Sequence, residues 1–254
     1  MRLEQIENPD DLKYEFSKWR RIVNNVNRYY DETPLLDLLY NHPKAFKYDI
    51  LQGQSFYRGR IFDLDNIISS NEQFEEWIAD DKNRFQGYDR KESGAPPAKY
   101  ATEGRLNGHG ISFLYTCGDV DTVIYELRPT RQERVSVAKF ITNRNLVFAD
   151  LTEKKADSIS VPLLSDLLYL IAREFSVPHY TGHNYSFTQY LAGHFMNLKF
   201  DGVIFESSLN PNGENFVFFD PEDCSAKNSR LYEVTDIVVK AKPITRRDFR
   251  KQKS

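Results

Sequence analysis

The order of secondary-structure signals along this chain predicts an α+β fold: mixed, mostly antiparallel sheets with flanking helices, plus an N-terminal helical extension. Three observations carry that expectation. Apolar residues recur at helical spacing over the first fifty residues and again between about 162 and 198. Short apolar runs with strand character cluster between about 55 and 150 and return after 202. The two kinds of segment do not alternate regularly, as they would in a doubly wound parallel sheet.

Phe16, Trp19, Ile22, Val23 and Val26 follow helical spacing inside a charged segment. Asp31 or Thr33, followed by Pro34, is a start signal for a second helix that buries Leu35, Leu36, Leu38 and Leu39. These fifty residues hold no evident chemistry and read as a helical cap or interaction module. A strand follows over 55–62 and a short helix over 71–77. Residues 80–103 are polar, with Gly94-Ala95-Pro96-Pro97 at their centre, and read as a long loop of the kind that often carries function. Strands are expected at 111–116, 122–128, 134–141 and 146–150. Val161 and Pro162 open a helix with Leu163, Leu164, Leu167, Leu168, Ile171 and Phe175 on its apolar side. A further helix covers 186–198. Strands at 202–206, 215–219 and 236–241 complete the pattern. The expected division is an extension over 1–50, one catalytic domain over 51–242 and a basic tail over 243–254.

The bulk properties exclude several classes. With 254 residues, 40% of them hydrophobic, the chain can bury a sizeable core. A net charge of −3, spread along the chain, argues against a nucleic-acid binder held by phosphate contacts. The one basic cluster, Arg246, Arg247, Arg250, Lys251 and Lys253, reads as a solvated tail. Two cysteines, Cys117 and Cys224, without metal-ligand spacing, fit a reducing compartment. No apolar run approaches the ~20 residues of a membrane span, and residues 1–16 lack a signal-peptide core. The expectation is a soluble cytoplasmic protein with no membrane partner.

Four polar groups stand out because each is embedded in strand-like apolar sequence. They are Arg58 beside Tyr57; the Arg105-Leu106-Asn107 turn that runs on to Tyr115; Glu126; and Ser207, with Asn215 eight residues later. Charged side chains are seldom placed in such segments unless paired or used. Each also has a plain structural reading. Arg58 and Glu126 can pair with each other, and Ser207 and Asn215 can satisfy backbone groups in turns. The histidines carry less: His109, His179, His183 and His194 form no metal-binding motif, so no metal site is expected. Gly104–Gly110 lacks the glycine spacing and the following helix of a dinucleotide loop.

Taken in order, six pieces resemble the RES domain family, named for its Arg, Glu and Ser positions. They are FYRGR around Arg58, GYDRKESGAPP from Gly87, GRLNGHGISFLYTCGDVDTVIYELRP from Gly104, VFADLT from Val147, YSFTQYLAG from Tyr185, and DGVIFESSLNPNGENFVFF from Asp201. The resemblance covers about 54–220. It implies a fold similar to that of ADP-ribosyltransferases and consumption of NAD as a substrate, with no resident cofactor. It also implies a toxin role in a bacterial toxin–antitoxin pair, the partner being an Xre-type antitoxin. Arg58, Glu126 and Ser207 fall at the name-giving positions. Tyr57 and Tyr115 look like the aromatic residues at the family's nicotinamide end, and Arg105 and Asn107 match its GR-x-N turn. Two departures concern the pocket: Gly108 and His109 stand where a proline is frequent, and Tyr125 where the residue before the Glu is usually small.

The chemistry suits these residues. Nicotinamide is cationic in NAD and leaves neutral, so it needs no general acid, and one carboxylate suffices where ordinary glycosidases use two. Glu126 is expected to bind a ribose hydroxyl and stabilise the oxocarbenium-like state. Arg58 offers a planar fork to the pyrophosphate, or to an incoming inorganic phosphate as co-substrate. Ser207 orients Glu126 or binds the ribose. Tyr57, Arg105, Asn107, Tyr115 and Asn215 are the substrate-binding candidates. The expected reaction is NAD cleavage with phosphate or water as acceptor. The alternatives are a protein mono-ADP-ribosyltransferase using the same pocket, or an inactive RES-like binding module.

Overall fold

The computed structural model describes residues 3, 6, 8–63, 87–176 and 185–238. The helix expected over 71–77, the first part of the 80–103 loop, His179, His183 and the basic tail lie outside the described residues. The chain opens with helix α1 (Pro9–Asn25), which Asn8 caps by accepting from the backbone N–H of Asp10 and Asp11. Its apolar stripe, Leu12, Phe16, Trp19 and Val23, is buried. Helix α2 (Pro34–Asn41) starts at Thr33 rather than Asp31; the Thr33 side chain caps it and Pro34 occupies its first turn.

Among the described residues, eight strands form one sheet. They are β1 (Lys47–Ile50), β2 (Ser55–Ile61), β3 (Leu114–Cys117), β4 (Arg134–Thr142), β5 (Leu146–Asp150), β6 (Gly202–Glu206), β7 (Glu214–Phe218) and β8 (Cys224–Glu233). Their spatial order is β1-β5-β6-β7-β3-β2-β4-β8. Only β5 and β6 run parallel; every other pairing is antiparallel. Among the described residues the remaining α-helices are α3 (Arg90–Ser93), α4 (Val120–Leu127), α5 (Glu153–Asp157), α6 (Pro162–Ser176) and α7 (Ser186–Asn197). The fold is thus α+β, with a mostly antiparallel sheet and flanking helices.

Three expectations change. The 122–128 segment is the helix α4, not a strand. Val120, Val123, Ile124 and Leu127 recur at helical spacing, and Asp119 caps the helix by accepting from Thr122 N–H. A segment of eight residues is short enough to satisfy either period, and tertiary packing selects the helix. The described part of the last expected strand, 236–238, is not in the sheet, whose final strand is β8 instead. The polar Ser, Lys, Asn and Arg side chains of β8 hid its strand character. The first fifty residues also contribute a strand, β1, which pairs with β5.

Residue alternation along the strands sorts the core into two faces. On one, Phe56, Leu114, Phe140, Phe148, Ile204, Phe216 and Phe218 pack together. The other face carries two separate clusters. The larger joins α1, α2, α6 and α7 to Ala149, Val203, Phe205 and Val217 of the sheet, so the N-terminal helices share the main core. The smaller lies under α4 and contains Cys117, Val123, Val135 and Val137. Gly59 lets α4 press onto β2, since a methyl there would overlap Val123 and Leu127. The gap between the two clusters, above β2, β3 and β7, is where the polar residues collect.

Candidate active site

β2 and β3 share a single paired position, Tyr57 opposite Cys117. Around it opens a cleft of about 310 Å³, lined by Tyr57, Arg58, Arg105, Tyr115, Glu126 and Asn215 among others. Six of the eight residues singled out in the sequence therefore line one cavity. Ser207 lies just behind it, and Asn107 lies in the loop beneath.

Glu126 is aimed by three elements. α4 carries it, and Ser207, at the end of β6, donates from its hydroxyl to Glu126 Oε1 at 2.6 Å. Asn215, on β7, donates from Nδ2 to the same oxygen at 2.9 Å. Oε2 takes no hydrogen bond from the described residues. Ser207 also accepts from the N–H groups of Leu209 and Asn210, so the turn role read from the sequence and the contact with the acid coexist. The Asn215 Oδ1 in turn accepts from the Cys117 thiol at 3.3 Å. Burial pushes that thiol far above its usual range, with further upward pressure from Glu126 and Asp119, so it stays protonated.

A second seam holds α4 against the β6–β7 loop. Thr122, fully buried and one turn before Glu126, donates to Asp119 and accepts from Asn210 Nδ2 at 2.9 Å. Gly213 closes on the same threonine; a methyl there would overlap Thr122 Oγ1 and Cγ2. Neither Thr122 nor Asn210 stood out in the sequence. Asp119 followed three residues later by Thr122 was the readable signal, a helix N-terminus.

Arg58 donates from Nη1 to the Tyr115 carbonyl at 2.8 Å and is not paired with Glu126. Its Nε is buried and has no hydrogen-bond partner among the described residues. Burial, and then repulsion from Arg60, lower its pKa to about 10, which leaves it charged at neutral pH. Arg105 is likewise depressed by burial, while attraction to Glu126 opposes the shift. Its guanidinium lies 5.4 Å from the centre of the Phe205 ring. Two guanidinium groups and one carboxylate make the cleft net positive around a single acid.

Asn107 has a different place from the one its motif suggests. Its amide nitrogen donates to the carbonyls of Thr102, Gly108 and Ile111, and its Oδ1 accepts from the Tyr115 hydroxyl at 2.7 Å. It holds the loop and the tyrosine, and its side chain does not line the cleft. Burial pushes the Tyr115 hydroxyl up to about 12, so it acts as a neutral donor. α7 fastens the same loop: Thr188 donates to the Arg105 carbonyl, and Gln189 donates to the carbonyls of Gly104 and Asn107. Gln189 was not foreseen; a polar residue on an apolar helix leaves no local trace of a partner over eighty residues away.

Among the described residues no group of three or more His, Cys, Asp or Glu side chains is placed to hold a metal ion. None of their helices is long and apolar enough to cross a membrane.

A family model described as RES domain matches residues 78–236, more than half of the chain. Among curated proteins, none matches significantly. A solved chain from the crystal structure of the M. tuberculosis MbcT-MbcA toxin-antitoxin complex is similar at 12% identity and a TM-score of 0.43, over 75% of this chain and 90% of that one.

Proposed function

The chain belongs to the RES domain family, and from that premise we propose that it cleaves NAD at the nicotinamide–ribose bond, with inorganic phosphate or water as acceptor. The observation that carries this reading is the Glu126 carboxylate, pinned on one oxygen by Ser207 and Asn215 inside a cleft that holds two guanidinium groups.

The reaction follows from the leaving group. The C1′–N bond of the nicotinamide ribose breaks, its electron pair goes to the pyridinium nitrogen, and neutral nicotinamide departs. Positive charge then grows on the ribose ring. A carboxylate fixed before the reaction stabilises that charge without reorganising. Glu126 does this through Oε2, by contact with a ribose hydroxyl, while Ser207 and Asn215 restrain Oε1. Arg58, anchored through Nη1 on the Tyr115 carbonyl, offers the rest of its guanidinium to the pyrophosphate. Tyr57 and Tyr115 flank the leaving ring. Phosphate attack at C1′ gives ADP-ribose 1″-phosphate, and water gives ADP-ribose.

The family resemblance further supports a role as a cytoplasmic bacterial toxin, depleting NAD until an Xre-type antitoxin covers the cleft. The test is nicotinamide release by the purified protein from labelled NAD, with and without phosphate. Release that rises with phosphate supports the phosphorylase, and release indifferent to it the glycohydrolase. Label retained on protein identifies a mono-ADP-ribosyltransferase. No release from NAD by the folded protein overturns the proposal and leaves a binding module.

A further inference from the structure

A second cavity adjoins the cleft at Tyr57, and the reaction above does not use it. Strand register places Phe205, Asn215, Cys117, Tyr57, Lys139 and Asn228 in one cross-strand row, through β6, β7, β3, β2, β4 and β8. The first four positions belong to the cleft. The last three line a cavity of about 300 Å³, completed by Val120, Val137, Arg230 and Tyr232. Tyr57 is the wall between the two.

This shelf has a definite chemistry. The side chains of Lys139 and Arg230 make no hydrogen bond or ion pair with the described residues, and among those residues no carboxylate lines the cavity. Two phenol rings, Tyr57 and Tyr232, face the same space. Cations with open donors suit a phosphate, and aromatic faces suit a base. The cleft alone is at the lower end of the ~300–1,000 Å³ usual for sites that enclose small ligands.

We propose that the shelf on β4 and β8 binds the adenosine monophosphate half of the dinucleotide, with Lys139 and Arg230 on its phosphate and Tyr232 beside its adenine. This rests on NAD being the substrate. Spacing separates it from the other anion in the reaction. Neighbouring strands lie ~4.8 Å apart, so Lys139 stands three strands, or roughly 14 Å, from the Asn215 that holds Glu126. An attacking phosphate must come within about 3.5 Å of the ribose carbon. The shelf is too remote for the acceptor and suitably placed for the far half of the substrate, with Arg58 between the two.

The test compares wild type with K139A/R230A, both purified and checked for native circular dichroism, together with the conservative pair K139R/R230K. Adenosine monophosphate is titrated into each, and each is assayed with NAD and with nicotinamide mononucleotide, which lacks the adenylate half. K139A/R230A is expected to bind adenosine monophosphate about tenfold or more weakly, as when charge-assisted contacts are removed. Its KM for NAD is expected to rise to match, its preference for NAD over the mononucleotide to fall, and K139R/R230K to restore both. Equal affinity of wild type and K139A/R230A for adenosine monophosphate overturns the assignment. So does a KM that rises for inorganic phosphate and not for NAD. A wild type that binds adenosine monophosphate in a Lys139- and Arg230-dependent way, yet releases no nicotinamide, supports the shelf and overturns the reaction.

Discussion

Ser207 Oγ and Glu126 Oε1 lie 2.6 Å apart, joining residues eighty-one positions distant in the chain. The bond ties the end of β6 to the last turn of α4 and fixes the one acid that lines the cleft among the described residues. The reactivity proposed for this protein depends on that restraint.

Replacing Glu126 by Gln keeps the acceptor for Ser207 and Asn215 but removes the negative charge. The fold is expected to persist and NAD turnover to fall by on the order of a hundredfold or more, the usual effect of losing one preorganised electrostatic contact. Circular dichroism and nicotinamide release check the two halves. Wild-type turnover by a folded Glu126→Gln protein removes the carboxylate from the mechanism.

Ser207→Ala leaves the carboxylate in place but frees it, and strips the acceptor from the N–H groups of Leu209 and Asn210. Stability is expected to drop by about 1–3 kcal/mol through the groups left unpaired. Because the acid is misaimed rather than lost, kcat should fall more than KM rises. Urea denaturation and steady-state kinetics separate the two effects; an unaltered kcat would show that Ser207 serves the turn alone.

Gly213→Ala places a methyl against Thr122, which is fully buried and stiff at χ1. Overpacking of this kind costs about 1–3 kcal/mol. The loop carrying Ser207 should shift from α4, so activity is expected to fall although the substitution touches no lining residue. A melting temperature and turnover equal to wild type would mean that the seam is slack.

Stability is expected to decline in alkali. Burial, with Asp223 beside it, raises the Cys224 thiol from an ordinary 9.0 to about 12, and burial raises Cys117 further. Above pH 9 the unfolded chain releases these protons while the native chain keeps them. The contribution is therefore complete below pH 9 and is lost as the pH climbs toward 12. Urea midpoints at neutral pH and at about pH 10.5 test this, and C117A/C224A should flatten the trend. Native thiols should also resist alkylation under conditions that modify the unfolded chain.

Local chemistry was legible in the sequence where it acts locally. The Thr33-Pro34 start of α2, the apolar stripes of α1 and α6, and the alternation of β2, β4 and β5 follow from capping and periodicity. β8 was not legible, because beyond Cys224 and Ala226, which pack on the core, it is mostly polar and gives no sustained apolar rhythm. The motif residues were legible as types and as an ordered set, which is how Asn107 was placed among the substrate contacts; the structure places its side chain in the loop instead.

The amino-acid order alone determined the residue chemistry, one acid, two arginines, two tyrosines and a serine, on a chain able to form helices and antiparallel strands. Packing decided the rest. α4 is a helix because its apolar stripe fits over Gly59 of β2. Glu126 meets Ser207 and Asn215 because strands far apart in sequence lie side by side in the sheet. Periodicity encodes which face of an element is apolar; which distant element covers that face is settled by burial shared across the whole core.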